Sequence, residues 1–278
     1  MRTCKSSLLP GSLLGILLIA ATVSGCETDP VENSGPELSG TFIPEANKKF
    51  RYKVETEGDV ATATQWITER MDSSGIAVFN VHTDFQSDGF LITMDNRMFS
   101  LAGKTYTELK VPDAWQMSVN LLNQMPDTKV TKAELFGFPA FITMDNPIRD
   151  GSVLEKVGSP EQGQRLSYVS HGEAASIEQV ITLEPGTATV ETIEVPAGSF
   201  VCNRFSYVNR QKITTTTKDN QYTGDGEEKI TVWMAHGVGM VKQQSASELV
   251  SFMPLPTGEI RKVTTSTTST TTLEQITQ

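Results

Sequence analysis

The sequence is poor in the residues that carry most enzyme chemistry. Its 278 residues include three histidines and three cysteines. His82, His171 and His236 stand far apart, none at metal-ligand spacing from another or from a cysteine, and neither H-E-x-x-H nor C-x-x-C occurs. No G-x-S-x-G nucleophile elbow is present. On this basis no catalytic residue, no metal ligand and no cofactor is assigned. An enzyme would need a polar constellation converging in one pocket, and the sequence offers none. An excess of basic charge is also missing: the net charge is −10. Nucleic acid and anionic headgroups are therefore not expected as partners of a basic surface.

Cysteine scarcity has a second consequence, because the position of each one matters. The chain opens MRTCKSSLLPGSLLGILLIAATVSGC, with Arg2 and Lys5 ahead of an apolar run from Leu8 to Val23. This is a secretory signal, too short and too poorly flanked for a stable membrane span. It ends in Val23-Ser24-Gly25-Cys26, which resembles the lipobox of bacterial lipoproteins. The signal is expected to span residues 1–25, with Cys26 the lipidated first residue of the mature chain. One acyl chain anchors marginally and two or more anchor firmly, so a lipoprotein-type Cys26 would hold the protein to the membrane. Cys4 leaves with the signal and Cys202 remains alone, so the mature chain has no intramolecular disulfide. Cys202, inside a strand pattern, reads as a small buried hydrophobe. Loss of residues 1–25 removes two positive charges and no negative ones, moving the net charge from −10 to −12.

Residues 26–40 follow as a flexible tether rich in Asp, Glu, Pro, Ser and Gly. GPELSGTF, at its end, lacks the lysine of a phosphate loop. The remainder, 41–278, is expected to form a single β-rich domain. Phe50, Tyr52 and Val54 alternate with Arg51 and Lys53. Phe79, Val81 and Phe85 share a face, as do Leu166 with Tyr168, Ile181 with Leu183, and Phe205 with Tyr207 and Ile213. Period-two alternation of this kind marks antiparallel strands with one wet face. One stretch favours helix: in PDAWQMSVNLLNQMPD, Asp113 can cap, and Trp115, Val119 and Leu122 recur at helical spacing before Pro126. A short helix plugging one end of the sheet is expected there.

Several stretches read as turns. LITMDN at 91–96 nearly repeats as FITMDN at 141–146, but the flanks differ. Both are expected to be strand-to-turn corners, with Asp95-Asn96 as turn residues and Pro147 forcing an extended exit after Asn146. Pro185-Gly186 also reads as a turn. DNQYTGDGEEK at 219–229 has a faint calcium-loop spacing, but Gln221, Thr223 and Ile230 stand where carboxylates are required, so it reads as a solvated hairpin tip. The Thr-rich close, VTTSTTSTTTLEQITQ, is expected to pair with SELVSFM as a last strand with a frayed end.

Two further motifs are more distinctive. Val195-Pro196-Ala197-Gly198-Ser199-Phe200 is followed by Trp233-Met234-Ala235-His236-Gly237-Val238-Gly239-Met240-Val241-Lys242. Pro196 and Gly198 suit a tight turn, Gly237 and Gly239 permit a bulge or close backbone approach, and Trp233 and Val241 read as core. Together these resemble a family of bacterial envelope lipoproteins of unknown function with VPAGTF-like and W-x-A-P-G-V-G-L-V-K-like motifs. FIPEANKKFRYKV looks like its opening strand and FPAFITMDNPIRDGSVLE like its mid-domain return strand. His236 departs from the family's proline, and no tryptophan follows Gly151 at the expected spacing. The resemblance implies a strongly curved sheet and no known activity.

The expected fold is all-β: one large curved, mainly antiparallel sheet, an incomplete barrel or sandwich-like arrangement, with at most one or two short helices. The expected function is that of a non-catalytic cell-envelope protein, lipid-anchored at the outer membrane, whose curved sheet binds an apolar ligand. The alternative is a structural or protein-interaction module with an envelope protein as partner. A carrier needs an unfilled cavity, whereas a scaffold fills that space with its own side chains.

Overall fold

The computed structural model of the chain describes residues 40–87, 90–109, 119–120, 122–254 and 260–278. The signal segment, Cys26 and the tether up to residue 39 lie outside the described residues, as do Trp115 and Met117 of the helix pattern.

Fifteen strands follow one another: β1 (Lys49–Thr56), β2 (Asp59–Ser73), β3 (Ile76–Ser87), β4 (Phe90–Leu101), β5 (Lys104–Leu109), β6 (Thr128–Phe136), β7 (Ala140–Asp145), β8 (Val153–Val157), β9 (Glu161–Ser170), β10 (Glu173–Glu184), β11 (Gly186–Val195), β12 (Gly198–Thr216), β13 (Gln221–Ala235), β14 (Gly239–Pro254) and β15 (Ile260–Thr277). All pairings are antiparallel. Neighbours run β11-β8-β7-β5-β4-β3-β2-β1-β15-β14-β13-β12, and β12 pairs back onto β11, closing a barrel of 12 strands. The remaining three, β10, β9 and β6, leave the ring as a flap. The fold is all-β as the alternation predicts, and closure through β11 and β12 completes the barrel that the resemblance left open.

The flap originates at Pro185-Gly186, where a turn is expected and none occurs. β10 and β11 run along the same partner: Glu184 pairs with Val208 and Ala188 with Phe205 of the long strand β12. Proline removes one ladder donor, and the ribbon breaks there without reversing. Upstream, the outer edge of β10 takes β9; downstream, the outer edge of β11 takes β8, with Gly186 opposite Leu154. Gly186 lies so close to β12 that a Cβ would stand 2.3 Å from the Ser206 carbonyl oxygen. The chain therefore divides between barrel and flap at a proline–glycine step.

Three apolar clusters form the core. One gathers Phe50, Tyr52 and Val54 of β1 with Leu273, Val241 and Trp233. A second holds Ile67, Phe79, Val81 and Met98 with Ile43. The third joins Met144, Leu154, Ala188, Phe205 and Val232, on the successive ring neighbours β7, β8, β11, β12 and β13, with Phe42. Each fully buried aromatic or branched side chain stabilises by about 1.5–3 kcal/mol. Phe42 and Ile43 belong to a segment that is buried except at Glu45 and stops one end of the barrel. Gly237 N–H donates to the Thr41 carbonyl at 3.0 Å, Glu45 N–H to the Gly237 carbonyl at 2.8 Å, and Phe42 N–H to Thr105 Oγ1 at 3.2 Å. FIPEANKKFRYKV is thus a plug followed by a strand. The helix pattern was expected to fill that role; residues 119–120 and 122–124 are helical but mostly exposed.

The two ITMDN stretches differ in kind. FITMDN ends β7 in a corner, as expected, and its Asn146 joins neighbouring turns: its N–H donates to the Gly103 carbonyl, its Nδ2 to Ser100 Oγ at 3.0 Å, and Thr105 Oγ1 donates to its Oδ1 at 2.6 Å. LITMDN, in contrast, lies wholly inside β4, and Asp95-Asn96 form no turn. Asp and Asn are tolerated there because Asp95 finds partners on β3: His82 Nδ1 at 2.8 Å and Asn80 Nδ2 at 3.4 Å. The C-terminus is also more ordered than its composition suggested. β15 pairs with β14 and, along its other edge, with β1 as far as Thr277 opposite Lys49, so its end is held and not frayed.

Candidate functional site

Twelve strands enclose more space than the eight that side chains just fill. Most of this interior is occupied by the clusters, but a cavity of about 80 Å³ remains where the flap meets the wall formed by β12 to β15. An apolar pocket of about 150 Å³ admits benzene, so this volume suits roughly three or four heavy atoms.

Register explains its lining. Antiparallel partners share a face, so each ladder row adds one layer to the wall. The row nearest the plugged end is apolar on two strands, with Phe205 opposite Val232, and then turns polar at Gln243 and Thr271. The next runs Tyr207, Ile230, Ser245 and Ser269, and the Ser269 hydroxyl accepts from Thr56 Oγ1 at 3.2 Å. The third is polar throughout: Asn209, Glu228, Ser247 and Thr267. Leu183 of β10 continues the third row beside Asn209, and with Ile181, Leu109 and Ile142 it supplies the apolar part of the lining. Gln162, from the flap strand β9, completes the lining; it is buried, and its Nε2 has no hydrogen-bond partner.

Glu228 is the chemical centre of this surface. It is 4% exposed, and Asn209 Nδ2 donates to its Oε2 at 3.2 Å. No lysine or arginine among the described residues forms an ion pair with it. Burial raises its pKa above the ordinary carboxylate range, and the Asn209 hydrogen bond opposes this only in part. Burial, and then the charge of Glu228, pushes the Tyr207 phenol up as well.

The sequence had placed Glu228 in a solvated hairpin tip. Only Asp219 and Asn220 of that stretch belong to the turn, closed by Thr217 N–H on the Asn220 carbonyl at 2.8 Å; the remainder is β13. Gly224 and Gly226 sit in the strand because the neighbouring β14 backbone leaves no room for a Cβ, which would stand 1.9 Å from the Val250 carbonyl oxygen at Gly224. A signal was available: the inward face of Val232 and Ile230, continued by two residues, reaches Glu228.

The histidines do not converge on this cavity. His236 hydrogen-bonds through Nε2 with the Asn146 carbonyl, and its ring lies 5.1 Å from that of Phe42. It is a satisfied histidine bracing the plug. His82 is held between Asp95 and Asp84, at 2.8 and 3.1 Å, with the Trp66 ring 4.5 Å away. His171 has φ of 51° in the turn before Gly172, where a turn is expected. Cys202 is fully buried, and desolvation, followed by the charge of Glu191, pushes its thiol up to about 12. Trp233 is core as expected, its Nε1 donating to Glu191 Oε2 at 3.1 Å beneath Arg204 and Lys242. Gly237 and Gly239 make the expected close approach: a Cβ at Gly239 would stand 3.2 Å from the Phe42 carbonyl oxygen.

No curated protein matches the chain. Solved structures that resemble it include these two. One is a protein of YmcC-like fold from Bacteroides fragilis NCTC 9343, described as exported, with 15% identity, a TM-score of 0.39, and coverage of 86% of this chain and 100% of that one. The other, from Parabacteroides distasonis ATCC 8503 and described as a lipoprotein, has 14% identity, a TM-score of 0.47, and coverage of 85% and 98%. Residues 161–251, from β9 through most of β14 and including Gln162, Asn209 and Glu228, match the model of a family described as DUF3108-like.

Proposed function

We propose that this chain is a lipid-anchored protein of the bacterial cell envelope, held through Cys26, whose barrel binds a small amphipathic ligand without transforming it. The anchor rests on Val23-Ser24-Gly25-Cys26 and the acidic tether behind it, with the outer membrane as the favoured destination. The binding role rests on one observation: the closed barrel retains a cavity with an apolar side and a polar side carrying a buried, cation-free carboxyl. A wholly apolar ligand would leave Gln162 Nε2 unpartnered and Glu228 with the Asn209 amide alone, which is costly, so the expected apolar ligand becomes one with a polar group. A protein-interaction role draws less support. β6, the edge of the flap, pairs with β9 alone and would be the docking strand, but it carries Lys129 and Lys132, charges that discourage strand addition.

Native mass spectrometry of the full chain, purified in detergent from a bacterial envelope and followed by organic extraction, tests the reading. A small ligand in defined stoichiometry supports it. A clean apo mass that persists after incubation with envelope extract turns the search to protein partners. Cell fractionation of Cys26→Ser tests the anchor: the variant should move to the soluble periplasmic fraction.

A further inference from the structure

We infer that the ligand presents a primary ammonium group to Glu228, on a short aliphatic stem that lies against Ile181, Leu183 and Leu109. This deepens the binding reading above and rests on it. Glu228 is an acceptor whose single hydrogen-bond donor among the described residues is the neutral amide of Asn209. A buried carboxylate is retained at high cost unless a cation compensates it, and no described side chain supplies one. A cationic ligand would supply the counter-charge that the described side chains do not, and would hold Glu228 ionised.

The neighbouring groups suit an ammonium better than other cations. An ammonium carries three donors and needs three acceptors. The Glu228 carboxyl offers one, and the Ser245 and Ser269 hydroxyls, paired with each other one ladder row away, offer two more. A quaternary ammonium asks instead for an aromatic cage, and Tyr207 is the sole aromatic among the described residues of the lining. The apolar part of the lining, Ile181, Leu183 and Leu109, satisfies no polar group and requires carbon. The volume of about 80 Å³ limits the enclosed part to roughly three or four heavy atoms. Two sources share this chemistry: a free alkylamine, or the ammonium head of an ethanolamine lipid.

Titration calorimetry on the full chain in detergent, with propylammonium against 1-propanol, tests the inference, and native mass spectrometry with phosphatidylethanolamine against phosphatidylcholine separates the sources. Propylammonium is expected to bind one to one and at least tenfold more tightly than 1-propanol, with Glu228→Gln abolishing that preference while circular dichroism stays unchanged. Retention of phosphatidylethanolamine over phosphatidylcholine, lost in the same variant, supports the lipid source. If 1-propanol binds as well as propylammonium, or Glu228→Gln keeps the preference, the ammonium is overturned and the cavity still binds. If neither probe pair binds and nothing is extracted, both readings fall. Ile181→Phe, which fills the apolar side and keeps Glu228, should abolish binding of propylammonium; retained binding would place it elsewhere and overturn the assignment.

Discussion

Asn209 and Glu228 face each other across β12 and β13, and a 3.2 Å hydrogen bond from the amide is the carboxyl's polar contact in a desolvated row. Desolvation outweighs that bond, so the folded-state pKa of Glu228 stands above its unfolded value. The folded chain then holds the proton more tightly, and stability falls as pH rises from the ordinary carboxylate range through the raised value. Glu228→Gln removes this dependence. Urea midpoints of ligand-free protein between pH 4 and pH 8 should show the variant gaining on wild type with rising pH. Parallel curves would refute the assignment.

Gly186 marks the parting of barrel and flap, with no space for a methyl group beside Ser206. Gly186→Ala should cost about 1–3 kcal/mol through overpacking. The loss should be accompanied by faster amide exchange at Ala188, whose N–H donates to the Ser152 carbonyl at 2.8 Å. Unchanged stability would mean that β11 and β12 separate freely at this step.

His236 braces the plug through Asn146 and Phe42. His236→Ala should destabilise by about 1 kcal/mol, the scale of one hydrogen bond with some packing. Its local signature would be faster amide exchange at Glu45, whose N–H donates to the Gly237 carbonyl, and at Gly237, whose N–H donates to the Thr41 carbonyl. A global loss without that signature would argue against the bracing role.

Cys202, sealed under β11 and with its thiol pushed up to about 12, should resist iodoacetamide at pH 8 in the folded protein and react fully in urea. Labelling of the native protein at the rate of a free thiol would show that β11 opens.

Much of the barrel was legible because inward and outward residues alternate: Phe50, Tyr52, Val54, Phe79, Val81 and Phe205 all lie in the core that their spacing indicates. The failures share one cause. Asp, Asn, Pro and Gly signal turns through local backbone preference, but a sheet overrides that preference when a neighbouring strand satisfies the side chain or occupies the space of a Cβ. Asp95 is held by His82, and Gly186 and Gly224 are crowded by Ser206 and Val250. The cavity was missed for the same reason. Its inward residues, Asn209, Glu228, Ser245 and Ser269, are polar, and a hydrophobic pattern locates a core only where the interior is apolar.

The pairing of β1 with β15 also has a consequence for biogenesis. A ring whose seam joins Lys49 to Thr277 cannot be sealed by a chain still being threaded through a membrane. Until β15 arrives, β1 and β14 each present a bare edge, and bare edges recruit other chains. Sequence-distant pairings also make folding slow, on the order of milliseconds to seconds. A chain emerging N-terminus first therefore holds both edges open until its last strand is available.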